Sequence, residues 1–149
     1  MRQDHFLIKA VDASKPYKLT ITFGDGATMI ADLKETIDRI SAFAPLKDKE
    51  LFSSAIIEEN GLSVEWRQGY LDMAGDNLRA LAIEQAGGYS HERIWEWMHR
   101  NSLTLDTAAE ALGISRRMLA YYRVGQKPLP KHIWLACLGW EAQKENNAA

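Results

Sequence analysis

The sequence predicts an α+β chain: a small antiparallel β-sheet domain with short helices over residues 1–76, a connecting helix and Gly-Gly hinge over 77–89, and an all-α domain over 90–149. Three observations predict it. Alternating apolar and polar runs in the first half are punctuated by Gly-Asp-Gly and Asn-Gly, residues suited to hairpin turns. From Asn77 onward the apolar residues recur at helical spacing instead. Charge divides near the same point: residues 1–86 hold 10 Lys or Arg and 14 Asp or Glu, net −4, whereas residues 87–149 hold 8 and 6, net +2.

At 149 residues, 46% hydrophobic and 26% charged, the chain can bury a core without disulfides or metals. Its formal charge of −2 argues, taken alone, against a nucleic-acid partner. The local distribution reverses that inference for the second half. From Ala111 through Trp140 there is no acid, while Arg116, Arg117, Arg123, Lys127 and Lys131 all fall there; a polyanion meets local charge rather than the total. The single cysteine, Cys137, excludes an intramolecular disulfide and a Cys-rich zinc site, and a reducing cytoplasm is the expected compartment. Neither a signal peptide nor an uncharged apolar run of about 18 residues is present, so no membrane association is expected.

Taken in order, Phe6 to Val11 suits a strand, and Tyr17 to Phe23 alternates, with Tyr17, Leu19, Ile21 and Phe23 on one face. Gly24-Asp25-Gly26 then supplies a hairpin turn, with Ala27 to Leu33 as the returning strand. Lys34 to Ser41 is a short helix carrying Ile37 and Ile40, broken by Phe43-Ala44-Pro45-Leu46, and Asp48 caps one more turn through Phe52. Ala55 to Glu58 and Leu62 to Trp66, joined through Asn60-Gly61, form a second hairpin. The order suggests one compact antiparallel sheet with a small helical cover. Asn77 to Ala86 is helical, with Leu78, Leu81 and Ala82 on one face, and Gly87-Gly88 stops it. Ser90 caps a helix whose Ile94, Trp97 and Met98 share a stripe, and Pro128-Leu129-Pro130 opens a last helix from Lys131 to about Gln143. Ile133, Ala136, Cys137 and Trp140 form its inner stripe, leaving Trp134 and Leu138 for a partner.

No catalytic constellation emerges, and no cofactor or metal is expected. Gly24-Asp25-Gly26 lacks the helix and Lys-Ser/Thr of a phosphate loop. His5 is isolated, and His91 and His99 lie two helical turns apart, too far to share one ion without other ligands.

Several residues of the first half carry a resemblance. Phe23-Gly24-Asp25-Gly26, Asp32-Leu33, Phe43 to Asp48 with Leu51-Phe52, Trp66, and Gly69 with Asp72 resemble a family of small uncharacterised bacterial β-rich domains, over about residues 5–81. Members of that family occur alone, in operons resembling toxin–antitoxin pairs, or fused to a helix-turn-helix. The resemblance therefore implies a fold, and a cognate toxin or other protein as a partner, without an activity. Trp66-Arg67-Gln68-Gly69 departs from that family's usual Trp-Pro turn.

The segment from Leu105 to Tyr122 carries the functional signal. Thr104 caps a helix ending at Leu112, Gly113 stands where a tight turn needs a left-handed backbone, Ile114 plugs the turn, and Ser115 caps a second helix. Ala108, Ala109, Leu112, Ile114, Leu119 and Tyr122 fall where a crossed pair buries side chains, the spacing of a helix-turn-helix. With Leu119 and Tyr122 inward, Arg116, Arg117, Ala120 and Tyr121 face outward. Arginine can fork onto guanine, and a small Ala lets the helix approach a groove. Ser115 and the helix N-terminus suit a phosphate, and Arg123, Lys127 and Lys131 suit the DNA backbone. Residues 90–143 resemble the phage-repressor/Cro-like (XRE-type, lambda-repressor-like) DNA-binding domains, with Leu105 where that family often has Gln. The expected function is transcription regulation by a homodimer that reads double-stranded DNA with helix 115–123, antitoxin-like by the first resemblance. The alternative is a protein–protein interaction module of the same fold that does not bind DNA.

Overall fold

The computed structural model describes residues 4–148 and separates into two compact units, Met1–Ala86 and Gly87–Ala149. The first begins with a 3-10 turn, Asp4–Phe6, and three strands, β1 (Ile8–Asp12), β2 (Lys18–Phe23) and β3 (Thr28–Asp32), in an antiparallel meander. Alternation decides its faces: Leu19, Ile21 and Phe23 of β2 are buried. Tyr17 does not continue the strand. Its backbone is left-handed (φ 67°), and its hydroxyl donates to the Lys47 carbonyl at 2.6 Å.

The Gly-Asp-Gly turn joins β2 to β3, and its two glycines serve different ends. Gly26 has φ 87°, whereas a Cβ on Gly24 would run into the Asp4 carbonyl oxygen, so the N-terminal turn packs directly against the hairpin. After β3 come α1 (Lys34–Arg39) and α2 (Lys49–Ser53). Asp48 caps α2 by accepting from the Glu50 and Leu51 amides at 3.0 and 3.4 Å. The Phe43 to Leu46 segment, expected as a break, winds into a 3-10 helix, Ser41–Lys47. Ile40, in extended backbone (φ −101°, ψ 109°), separates it from α1, and Pro45 lies inside it without an N–H to donate.

The single sheet expected from the sequence is two. A second antiparallel sheet comprises β4 (Ile56–Ile57), β5 (Ser63–Trp66) and β6 (Leu71–Ala74). Strand β6 follows a turn in which Arg67, Gln68 and Gly69 are all left-handed (φ 51°, 54° and 88°). One core serves both sheets, with Leu19, Ile21, Phe23, Phe52, Val64 and Trp66 almost wholly buried. The Trp66 indole N–H donates to the Phe52 carbonyl at 2.9 Å inside it.

Helix α3 (Gly75–Gln85) corrects the expected domain organisation: it is part of this unit, not a connector. Leu78 and Ala82 are buried in its core. Arg79 forks onto the Asp25 carboxylate at 2.8 and 3.2 Å, donates to the His5 carbonyl at 2.8 Å, and lies over the Phe23 ring. The Gln85 amide meets the Asp32 backbone on both sides, accepting from its N–H at 2.7 Å and donating to its carbonyl at 2.8 Å. It thereby covers part of an open sheet edge.

The second unit is helical: α4 (His91–Arg100), α5 (Leu105–Leu112), α6 (Arg116–Arg123) and α7 (Lys131–Ala148). Helix α7 runs beyond the expected end at Gln143. Ile94, Trp97, Ala108, Leu119 and Cys137 form the centre of its core, each without exposed surface. The Trp97 indole N–H donates to the Cys137 carbonyl at 3.1 Å, and Arg100 clips α4 to α7 through two bonds to Glu141. Burial pushes the Cys137 thiol up to about 12, helped by the Glu141 charge.

Burial opposes ionisation of Asp25, but the Arg79 hydrogen bonds and charge and the Ala27 amide outweigh it and hold the carboxyl below the usual range. The stability it carries is complete above the ordinary aspartate value near about 3.9 and is lost as pH falls through the lower folded value. Arg79→Leu is expected to cost about 2–3 kcal/mol in urea unfolding at neutral pH, the low end for a broken buried pair because Asp25 is part-exposed. The same variant should show a shallower loss of stability on acidification. Cys137 should stay inert to Ellman's reagent at about pH 8 in the folded chain and react on unfolding in urea.

Candidate nucleic-acid interface

The segment from Thr104 to Arg123 is shaped by local capping. Thr104 and Thr107 form a reciprocal capping box at the start of α5, the Thr107 amide donating to the Thr104 hydroxyl at 3.1 Å. Gly113 ends α5 in the left-handed conformation, φ 71° and ψ 29°. The Gly113 and Ile114 amides return to the Glu110 and Ala109 carbonyls at 3.2 and 3.1 Å. Ser115 starts α6 at once, its hydroxyl accepting from the Met118 amide at 3.1 Å. The buried Ala108 and Ala109 let α5 and α6 approach, and Leu119 seats α6 against α4 and α5.

This arrangement leaves Ser115, Arg116 and Arg117 exposed, and Ala120 and Tyr121 half-buried beside them. The aromatic ring of Tyr121 gathers two cations. The Arg117 Nε donates to its hydroxyl at 3.0 Å with Cζ 5.7 Å from the ring centroid, and Lys127 Nζ lies 4.8 Å from the same centroid. Lys127 is brought there by the turn after α6, in which the Gln126 and Lys127 amides both donate to the Tyr121 carbonyl. Lys131 stands exposed at the first position of α7.

One cation of the expected unopposed row meets an acid, and another meets a ring. Arg116 lies 3.5 Å from the Asp106 carboxylate of α5, although both side chains remain largely exposed and the pair is weak. Arg123 is half-buried. Its guanidinium lies over the Trp95 ring on α4, 5.1 Å from the centroid, and its Nε is buried with no hydrogen-bond partner among the described residues. Neither Asp106 nor Trp95 figured among the expected site residues. Asp106 lies ten positions before Arg116, and only the α5–α6 crossing joins them. For Arg123 a signal was present: it follows Leu119 by four positions, which places it beside the buried seam.

Helix α7 carries Leu135 and Leu138 exposed, whereas Trp134, expected as a partner contact, is half-buried with Arg93 over its ring at 5.0 Å. In the first unit, a hollow lined by Tyr17, Lys34, Ile37, Asp38 and Lys47 gathers charge, but Lys47 faces Asp38 at 4.0 Å. Among the described residues, no group of three or more His, Cys, Asp or Glu is gathered as for a metal ion, and no helix is long and apolar enough to cross a membrane.

Comparison with solved structures returns the crystal structure of a "Putative DNA Binding Protein" from Nitrosomonas europaea, at 48% sequence identity and a TM-score of 0.85, covering 93% of this chain and 88% of that one. This chain belongs to the family of that Nitrosomonas protein. The match is too long for either unit alone, so both chains combine a β-rich unit with a helical one. No protein-family model matches the sequence, and no curated protein matches it.

Gly113 tests the turn on which the exposed face of α6 depends. A Cβ there would meet nothing within 4 Å, so the cost of a side chain is in the backbone alone. Gly113→Ala is expected to lose about 1–2 kcal/mol, and Gly113→Asn less, since Asn tolerates the left-handed region. Tryptophan fluorescence during urea unfolding of a Trp66→Phe background reads this, because the other four tryptophans, Trp95, Trp97, Trp134 and Trp140, all lie in the second unit.

Proposed function

We propose that the chain is a DNA-binding transcription regulator whose second unit is a helix-turn-helix of the phage-repressor/Cro-like kind. The observation that carries this is the pair α5 and α6, joined by a left-handed Gly113, with α6 displaying Arg116 and Arg117 beside its N-terminus. In this reading α6 enters the major groove. Arg116 and Arg117 read base edges, Ala120 and Tyr121 line the groove floor contact, and the Ser115 end of the helix faces a phosphate. Arg123, Lys127 and Lys131 hold the backbone, where charge rather than sequence sets affinity. The name of the Nitrosomonas relative supports the same reading. One such module reads only about 4–6 base pairs, so a homodimer on a two-fold site is the proposed binding form. The β-rich unit is proposed to supply dimerisation or to bind a protein partner such as a toxin.

One observation favours a second reading. Asp106 partly neutralises Arg116 from the neighbouring helix, as suits an interaction module that keeps the fold without the DNA. Mobility-shift titrations against genomic fragments at two salt concentrations separate the two readings. The first requires a shift that weakens steeply with salt; no shift at low salt, with co-purification of a protein partner, favours the second. Arg116→Ala and Arg117→Ala are each expected to lose about 1–3 kcal/mol of specific binding, and full-strength binding by both variants would remove them from the groove.

A further inference from the structure

Arg123 is built differently from the other basic residues of the second unit. Four positions after Leu119 on α6, its stem leaves the helix about 40° from the most buried side chain. From there the side chain meets Trp95, a residue of α4 whose ring lies under the guanidinium carbon, 5.1 Å from the centroid, while 52% of its own surface stays exposed. The Arg123 Nε is shut off from solvent and bonded to nothing among the described residues. A large indole left half-exposed and a buried donor left unpaired are both costly in isolation. Together they describe a half-buried guanidinium seated against an aromatic ring with its Nε left unsatisfied.

We propose that Trp95 is the positioning residue for Arg123: its indole face holds the guanidinium flat, so that the terminal nitrogens present in-plane N–H groups to one DNA phosphate flanking the α6 contact. This rests on the DNA-binding reading above. Arginine stacks on indole through its π face while its donors lie in the plane of the guanidinium, so stacking and phosphate binding do not compete. A planar fork also matches two phosphate oxygens. Ordering the side chain before DNA arrives removes part of the entropy cost of immobilising a long arginine on binding. The Tyr121 ring does for Lys127 and Arg117 at the opposite side of α6 what Trp95 does for Arg123.

The test is fluorescence anisotropy of a labelled mixed-sequence DNA duplex, titrated with the full chain over a range of salt concentrations. Arg123→Ala should lower the magnitude of the slope of log affinity against log salt by about 0.9, one phosphate's worth. Trp95→Ala should do the same although it removes no charge, Trp95→Phe should keep the wild-type slope, and the double variant Trp95→Ala/Arg123→Ala should lose no more than Arg123→Ala. Trp95→Leu keeps apolar bulk without a π face and should behave as Trp95→Ala. It carries the comparison with Trp95→Phe if the alanine variant does not fold. A wild-type slope in Trp95→Leu would reduce the ring to packing and overturn the proposal, and so would a wild-type slope in Arg123→Ala; both leave DNA binding itself intact. A wild-type chain that binds no duplex at low salt would overturn the DNA-binding reading and this inference with it.

Discussion

Burial of Leu119 is the constraint on which the second unit's surface depends. The side chain has no exposed area, and a helix turns about 100° per residue, so anchoring this one position sets the direction of all the others on α6. Arg117 and Tyr121, two residues to either side, are thrown about 160° away, to the outside. Arg123, four residues on, is drawn back beside the seam and under the control of Trp95. The left-handed Gly113 decides where α6 starts, and the small Ala108 and Ala109 decide how closely it approaches α5. An exposed basic face follows from packing that involves no charge at all.

The first unit is organised by a directional polar contact laid over an apolar core. Arg79 binds both oxygens of Asp25 and the carbonyl of His5, and lies over Phe23, so one side chain ties α3 to the β2–β3 hairpin and to the N-terminal turn. Desolvating both charges leaves such a pair little net stability. Its geometry is selective nonetheless, because only one placement of α3 satisfies three acceptors at once. Gln85, farther along the same helix, completes the backbone of Asp32 at the sheet edge.

In the helical unit several cations lie against aromatic rings. Tyr121 carries Arg117 and Lys127, Trp95 carries Arg123, and Tyr89 with Trp134 flanks Arg93. Aromatic faces suit this work because they hold a cation without neutralising it. An acid would hold it as firmly and cancel the field, which is the effect Asp106 has in part on Arg116. The acid-free stretch from Ala111 to Trp140 thus acquires a physical meaning: positive charge is retained there while Arg117, Arg123 and Lys127 lie against rings.

Features set within a few residues were legible in the sequence. Thr104, Gly113 and Ser115 mark the ends of α5 and the start of α6 because a cap or a left-handed turn is a contact between near neighbours. Gly24-Asp25-Gly26 and the alternation of β2 are equally local. The rest required the chain to meet itself. Strand β6 was hidden because it follows Arg67 and Gln68 in a left-handed conformation their side chains do not advertise. The division into two sheets depends on pairings between strands, and the place of α3 on Arg79 reaching Asp25 across 54 positions. The sequence by itself determined where α5 stops and α6 starts and which charges lie near α6. Only the tertiary structure decided that Asp106 opposes Arg116 and that Trp95 holds Arg123, because a side chain's partner is whatever packing brings within reach.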